Sequence, residues 1–265
     1  MKAEGRVALV TGGSSGIGLS CSRALAGEGW QVYTLSRRQG SGEFPHLSAD
    51  VTDPAACSAA VEQVLVRAGR LDLLVSCAGF GISGAAEFTS PEEARAQIEV
   101  NLFGSANMCR AVIPPMRRAG GGRIILISSV AAATPIPFQS WYSVSKAGLN
   151  AYAMALANEV GRFGISVSAL MPGDTRTGFT DARRKEAAGD AVYEGAIARS
   201  VAKMERDERG GVSPDQVGRL VARIARQRRP KVLSTVGVGY GFLVLLSRLL
   251  PVRLVNYILG MMYAR

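Results

Sequence analysis

The amino-acid sequence predicts an α/β protein: a single domain on an open, doubly wound parallel sheet of about seven strands, with a C-terminal hydrophobic helical extension. Three observations carry this. Short β-branched runs alternate with longer stretches of helical spacing almost to the end of the chain. Several runs are apolar at consecutive positions, the pattern of a parallel strand covered on both faces. The turn that joins the first run to the first helical stretch, TGGSSGIG (11–18), is rich in glycine. A length of 265 residues, 48% of them hydrophobic, supplies one substantial core, and no internal repeat or low-complexity linker divides it.

In order, the predicted strands are RVALV (6–10), QVYTLS (31–36), HLSAD (46–50), LDLLVS (71–76), GRIILIS (122–128), ISVSAL (165–170) and PKVLS (230–234). Between them, 16–28, 54–68, 91–117, 141–162 and 213–227 carry helical periodicity. The stretch from 91 has the cleanest start, with Ser90 as N-cap, Pro91 in the first turn and acids nearby. Two segments break the rhythm. ATPIPFQSW (133–141) is a loop at the end of the sheet where ligands bind. Residues 173–211 are polar, rich in arginine and long for a connection, which suggests a substrate lid. The sheet domain is thus expected over 1–235 and the apolar extension over 236–265, where Arg248, Pro251 and Arg253 punctuate two short helical pieces.

Thirty-one Lys and Arg against 21 Asp and Glu leave a formal charge of +10, which favours anionic partners such as a phosphorylated cofactor, an acyl carrier or an acidic membrane face. The charges are dispersed, with no arginine-rich arm, so nucleic acid is not expected. Cys21, Cys57, Cys77 and Cys109 match no metal-ligand spacing, and no metal site is expected. They read as reduced thiols in a cytoplasmic protein. The start, MKAEG, runs into RVALVTGG without an apolar leader, so a secreted precursor is not expected. The apolar stretch 232–246 falls short of the ~20 residues that a spanning helix needs.

In the glycine-rich turn, Gly12, Gly16 and Gly18, with Ser14, Ser15 and Ile17 between them, allow the backbone and the N–H groups of a helix start to approach a pyrophosphate. The spacing is not the common G-x-G-x-x-G. At the end of the second strand, Ser36 replaces the carboxylate that would bind a free ribose 2′-hydroxyl, and Arg37 and Arg38 can grip a 2′-phosphate. NADP (as NADPH) is the cofactor this favours over NAD.

Together these residues resemble the short-chain dehydrogenase/reductase superfamily, a Rossmann-fold family, over about residues 5 to 235. The matching pieces stand in the family's order: TGGSSGIG, ADV (49–51), CAG (77–79), VN (100–101), ISS (127–129), YSVSK (142–146) and PGDTRT (172–177). The resemblance implies that Asp50 and Val51 flank the adenine and that Cys77, Ala78 and Gly79 line the cofactor's ribose side. Cysteine at 77 departs from the family's usual asparagine and removes an amide there. Pro172, Gly173, Thr175 and Thr177 match the segment that holds the nicotinamide carboxamide, and Asn101, Ser129, Tyr142 and Lys146 match the catalytic tetrad.

The chemistry expected of that tetrad is hydride transfer with Tyr142 as general acid or base. Lys146, one helical turn on, favours the phenolate and should bring the Tyr142 pKa down towards working pH, while also bonding the nicotinamide ribose. Ser129 would donate to the substrate oxygen. By the resemblance alone, Asn101 would hold a water that links Lys146 to solvent. Phe80, Ile82, Ile136, Phe138, Trp141 and Phe179, with Pro137 and Met171, would give the substrate an apolar, aromatic wall, although side chains of this kind also serve as core.

The expected substrate is a hydrophobic secondary alcohol or ketone, steroid-like or lipid-like, close in flavour to hydroxysteroid and retinol dehydrogenases. A 3-oxoacyl-carrier-protein reductase is the alternative enzyme, and a non-catalytic NADP-binding sensor the alternative from another class. The long helical stretches suggest a homodimer or homotetramer. The tail would cap the cleft, pack on a subunit or make peripheral contact with a membrane.

Overall fold

In the computed structural model, which describes residues 5–40 and 42–264, the alternation read from the sequence becomes a parallel sheet with helices on both faces. The chain runs β1 (Val7–Thr11), α1 (Gly16–Gly27), β2 (Gln31–Ser36), β3 (His46–Ser48), α2 (Pro54–Ala68), β4 (Leu73–Ser76), β5 (Ile82–Ser83) and α3 (Pro91–Ile98). A π-helical turn (Glu99–Phe103) leads into α4 (Gly104–Arg118), followed by β6 (Gly122–Ile127), a 3₁₀ turn (Val130–Ala132), α5 (Ser140–Gly161) and β7 (Ile165–Met171). Then come α6 (Phe179–Ala182), β8 (Arg184–Lys185), α7 (Ala196–Arg209), α8 (Pro214–Arg226), β9 (Leu233–Thr235), α9 (Val238–Leu249) and α10 (Val252–Tyr263).

The seven-stranded sheet has the order β3-β2-β1-β4-β6-β7-β9, all pairs parallel. Strand order reverses between β1 and β4, where Thr11 lies opposite Ser76, and open sheets of this kind bind ligands beyond the strand ends at that reversal. The consecutive apolar runs have their reason in two separate cores. On one face Leu25, Val217 and Val221 pack on Val10, Leu73 and Val75. On the other, Val61, Val112, Leu149 and Leu156 pack on Leu9, Leu74 and Ile124.

Local chemistry explains where the boundaries differ from the sequence reading. The strand expected over 46–50 stops at Ser48, because the Asp50 carboxylate accepts from the backbone N–H (3.0 Å) and hydroxyl (2.9 Å) of Thr52 and turns the chain. Asp53 then caps α2. Ser90 and Glu93 form the reciprocal capping box that starts α3. The single helix expected over 91–117 is instead interrupted by the π turn, which carries Asn101 fully buried. Such turns are rare and frequently lie at functional sites. The polar stretch 173–211 is not an irregular connection: it holds α6, β8 paired with β5, and the 14-residue α7, tied down by Lys185–Glu205 and Lys203–Asp207 ion pairs. Among the described residues no helix is long and apolar enough to cross a membrane.

Helices α1 and α8 approach closely at Gly218. A Cβ on Gly218 would lie 2.5 Å from the carbonyl oxygen of Ser20, and backbone cannot step aside. Gly218→Ala gains about 1 kcal/mol of helix propensity but overpacks a rigid contact at up to ~3 kcal/mol. A net loss of roughly 2 kcal/mol is expected in urea unfolding; equal or greater stability would contradict this packing.

Candidate active site

Tyr142, Lys146, Ser129 and Asn101 meet at the C-terminal ends of β4 and β6. Tyr142 and Lys146 lie on the first turns of α5, and Ser129 follows β6 as the cap of the 3₁₀ turn, accepting from the Ala131 N–H at 3.1 Å. Lys146 is buried, and its Nζ donates to the carbonyl of Ile127 at 2.8 Å. Burial holds its pKa down at about 8, against a smaller upward effect of Cys77. The ammonium sits 5.7 Å from the centroid of the Tyr142 ring.

The structure corrects the expected direction of the Tyr142 shift. Tyr142 keeps part of its surface exposed, but its hydroxyl is the desolvated end, and burial pushes its pKa up to about 12. A hydrogen bond with Ser129 opposes that rise; Glu208 and Asp174 add to it, and Arg183 acts against it. Lys146 is not among the groups that move it. The loss of hydration outweighs the Ser129 hydrogen bond and the Arg183 charge that oppose it.

The Asn101 amide is engaged as a brace. It accepts from the Phe80 N–H (3.0 Å) and donates to the Phe80 carbonyl (3.0 Å) and the Ser145 hydroxyl (3.0 Å), which in turn donates to the Tyr142 carbonyl at 2.7 Å. Its backbone carbonyl accepts from Ser105 at 3.0 Å. The side chain thus ties the loop after β4 to α5.

Next to these groups lies a surface that fits a dinucleotide. Gly12 and Gly16 adopt left-handed φ values of 62° and 51°. A Cβ on Gly18 would meet the Gly12 carbonyl at 2.2 Å, so the loop exists only with glycine there. Ser15 starts α1 without a side-chain cap, so no side chain there competes with an anion for the first-turn N–H groups. Gly79 is a second cradle: a Cβ would intrude 3.0 Å from Asn101 Oδ1 and 3.7 Å from Lys146 Nζ. The Cys77 and Ala78 N–H groups both donate to the Thr11 hydroxyl at 3.1 Å, so backbone positioning survives without an asparagine at 77.

The remaining predicted cofactor contacts lie around this cradle and at the end of β2. Arg37 and Arg38 are exposed at the end of β2, and Arg37 lies 3.9 Å from Asp50. The Ser36 hydroxyl donates to the Arg38 carbonyl at 2.6 Å, and Ser14 is packed under Gly40. Asp50, through its bonds to Thr52, serves the turn, and Val51 packs under Gly104. The Pro172 carbonyl accepts from Val130 at 2.9 Å. Thr175 is buried and its hydroxyl closes on the Gly173 carbonyl at 2.9 Å, whereas Thr177 faces Gly16 across the cradle.

Of the predicted substrate wall, Phe179 reaches the phenol, with ring centroids 5.8 Å apart. Phe80 lies under the Arg184 guanidinium, and Phe138 packs edge-on against Tyr193 at 5.6 Å. Ile136 is half-buried and Trp141 partly exposed at the start of α5. Ile82 and Met171 are corrections: Ile82 is buried in β5 against β8, and Met171 is buried with Val130 and Val244. Both are packing residues.

Two features escaped the sequence reading. Arg183, fully buried, pairs with Glu208, which also accepts from Thr180 at 2.6 Å; the Arg183 guanidinium lies 5.6 Å from the Phe179 ring centroid. Tyr240, at the start of α9, covers Gly173 and donates to the Asp174 carboxylate at 2.7 Å. Burial raises the Asp174 pKa and that hydrogen bond opposes the rise. Both pairs join residues too distant in sequence for any local pattern to signal them.

Residues 6–188 match the protein family described as short chain dehydrogenase. The chain is 39% identical, over 98% of both sequences, to a 3-ketodihydrosphingosine reductase of Bacteroides thetaiotaomicron. Among solved structures it is similar to a short-chain dehydrogenase from Streptomyces avermitilis, with a TM-score of 0.82 and 28% identity over 94% of both chains. It is also similar to the aldohexose dehydrogenase of Thermoplasma acidophilum, with a TM-score of 0.76 and 26% identity over 90% of this chain and 95% of that one.

The depressed Lys146 pKa has a thermodynamic consequence. Between about 8 and the ordinary 10.5, the unfolded chain holds a proton on this residue that the folded one has released. Its contribution to stability therefore rises with pH across that window. In cofactor-free urea unfolding, the stability of the protein relative to Lys146→Met should increase by on the order of 2 kcal/mol from pH 7 to pH 10. A constant or shrinking difference would show that the ammonium is not desolvated.

Proposed function

The chain belongs to the short chain dehydrogenase family, oxidoreductases that act on CH–OH donors with a nicotinamide cofactor, and we propose that it reduces the ketone of a long-chain, lipid-like amphiphile with NADPH. The convergence of Ser129, Tyr142 and Lys146 beside the glycine cradle carries the chemical part of this reading. The similarity along almost the whole chain to a 3-ketodihydrosphingosine reductase supports the substrate class, a 3-keto sphingoid base.

In this reading Tyr142 is the general acid. With its pKa at about 12 the phenol keeps its proton at neutral pH and can give it to a forming alkoxide, while it is a poor base for the reverse reaction. At neutral pH the site thus rests in the form that reduction requires. Ser129, bonded to the phenol, would donate to the same oxygen as charge develops there. Bound NADPH supplies the hydride. Lys146, beside Gly79, would hold the nicotinamide ribose, and Asn101 fixes the geometry through Phe80 and Ser145.

The cofactor preference rests on Ser36, Arg37 and Arg38. No carboxylate ends β2, and two exposed guanidinium groups stand where a 2′-phosphate would lie. Phe179 and Phe80 give the substrate side its apolar character.

Loss of NADPH absorbance with 3-ketodihydrosphingosine in mixed micelles, a steroid ketone and a carrier-linked 3-ketoacyl group tests the substrate class. The sphingoid ketone is expected to be fastest; faster turnover of the carrier-linked group, or none with any ketone, would contradict the proposal. Tyr142→Phe should lower kcat by roughly 10²- to 10⁴-fold with NADPH affinity nearly unchanged. Replacing Arg37 and Arg38 together by alanine should raise KM for NADPH roughly tenfold or more and leave that for NADH unchanged. Equal effects on the two cofactors would reject the 2′-phosphate site.

A further inference from the structure

The helices after β9 reverse the usual arrangement of a surface helix. On α9, Val238, Phe242, Leu245 and Leu249 recur at spacings of four, three and four, a single helical stripe, and they are 92%, 65%, 54% and 72% exposed. On α10, Leu254 and Ile258, four apart, are exposed as well. Val244 and Leu259 are the buried residues of the two helices, and Val244 with Tyr240 packs on Val130 and Met171. An exposed apolar stripe such as that on α9 marks an interaction site.

Its charge narrows the choice of occupant. Residues 238–265 contain no Asp or Glu, while Arg248 and Arg253 are exposed on either side of the break at Pro251. A two-fold contact with a second copy would set the same patch against itself and bring like charges together without any carboxylate from either α9–α10 pair. A layer of lipid phosphates supplies the missing negative charge. Each helix has 12 residues, a length of roughly 18 Å, against a hydrocarbon core of about 30 Å. The pair can lie in the interface but cannot cross it.

We propose that α9 and α10 dock on the surface of an anionic lipid bilayer, with the apolar stripe in the headgroup–acyl boundary and Arg248 and Arg253 among the phosphates. The Tyr240–Asp174 hydrogen bond and the packing of Val244 on Val130 set the docked helix against the segments that carry Gly173 and Ser129. A bound protein thus holds its candidate active site at a fixed distance from the lipid. The docking is independent of which ketone is reduced.

Flotation with vesicles of phosphatidylcholine alone, or mixed with phosphatidylglycerol, tests this, together with sedimentation velocity in the absence of lipid. The protein should float with the anionic vesicles and bind the neutral ones roughly tenfold or more weakly. Changing Phe242, Leu245 and Leu249 together to serine should reduce anionic-vesicle binding by about tenfold or more. Reversing charge with Arg248→Glu and Arg253→Glu should do the same, with thermal stability, oligomeric mass and NADPH affinity unchanged in both variants. Absence of flotation, undiminished binding by either variant, or a serine variant of altered oligomeric mass would overturn the proposal, the last by assigning the stripe to contact between copies.

Discussion

The hydrogen bond from Lys146 Nζ to the carbonyl of Ile127 is the contact on which the candidate site depends. A buried ammonium requires an acceptor, and the one it finds belongs to the last residue of β6. The bond is reinforced in the opposite sense by Ser128, whose hydroxyl donates to the Lys146 carbonyl at 3.2 Å. Together they fix the start of α5 against the end of the sheet. Tyr142, one turn earlier on that helix, is thereby set beside Ser129, two residues beyond the strand, and Asn101 braces the opposite side through Ser145 and Phe80. A site built from three chain segments acquires its geometry from one strand end.

Desolvation decides the proton chemistry. It disfavours the charged form of both partners, raising the phenol and lowering the amine, so the resting pair is not a phenolate–ammonium couple. What stands beside the cradle at neutral pH is a protonated phenol, bonded to a serine hydroxyl that partly offsets the rise. That state delivers a proton. The same burial that makes Lys146 costly also places it next to Gly79, where a Cβ would crowd Asn101 Oδ1 at 3.0 Å. The residue departs from what stability alone would select, as is usual at functional sites.

Much of this was legible in the sequence because the signals are local. Consecutive apolar residues revealed strands covered on both faces, Ser90 and Pro91 marked a helix start, and Gly12, Gly16 and Gly18 a strand–helix turn whose backbone only glycine permits. Spacing along α5 placed Tyr142 and Lys146 within a turn of each other. The sign of the Tyr142 shift was not legible, since burial depends on packing from elsewhere in the chain. Nor were the pairs Arg183–Glu208 and Tyr240–Asp174, which join distant segments. Ile82 and Met171 were assigned to the substrate wall because an apolar residue beside a motif looks alike whether it packs or lines. The π turn at Asn101 was hidden inside a stretch with ordinary helical periodicity.

The account stands on a phenol that burial keeps protonated, and ultraviolet titration of tyrosinate in the cofactor-free protein measures this directly. The difference between the protein and its Tyr142→Phe variant isolates the one hydroxyl. With the Tyr142 pKa at about 12, that difference should show no phenolate from neutral pH up to ~10, the value of an ordinary tyrosine. A Tyr142 phenolate that appears near neutral pH would contradict the account, because the lysine's field would then prevail over desolvation.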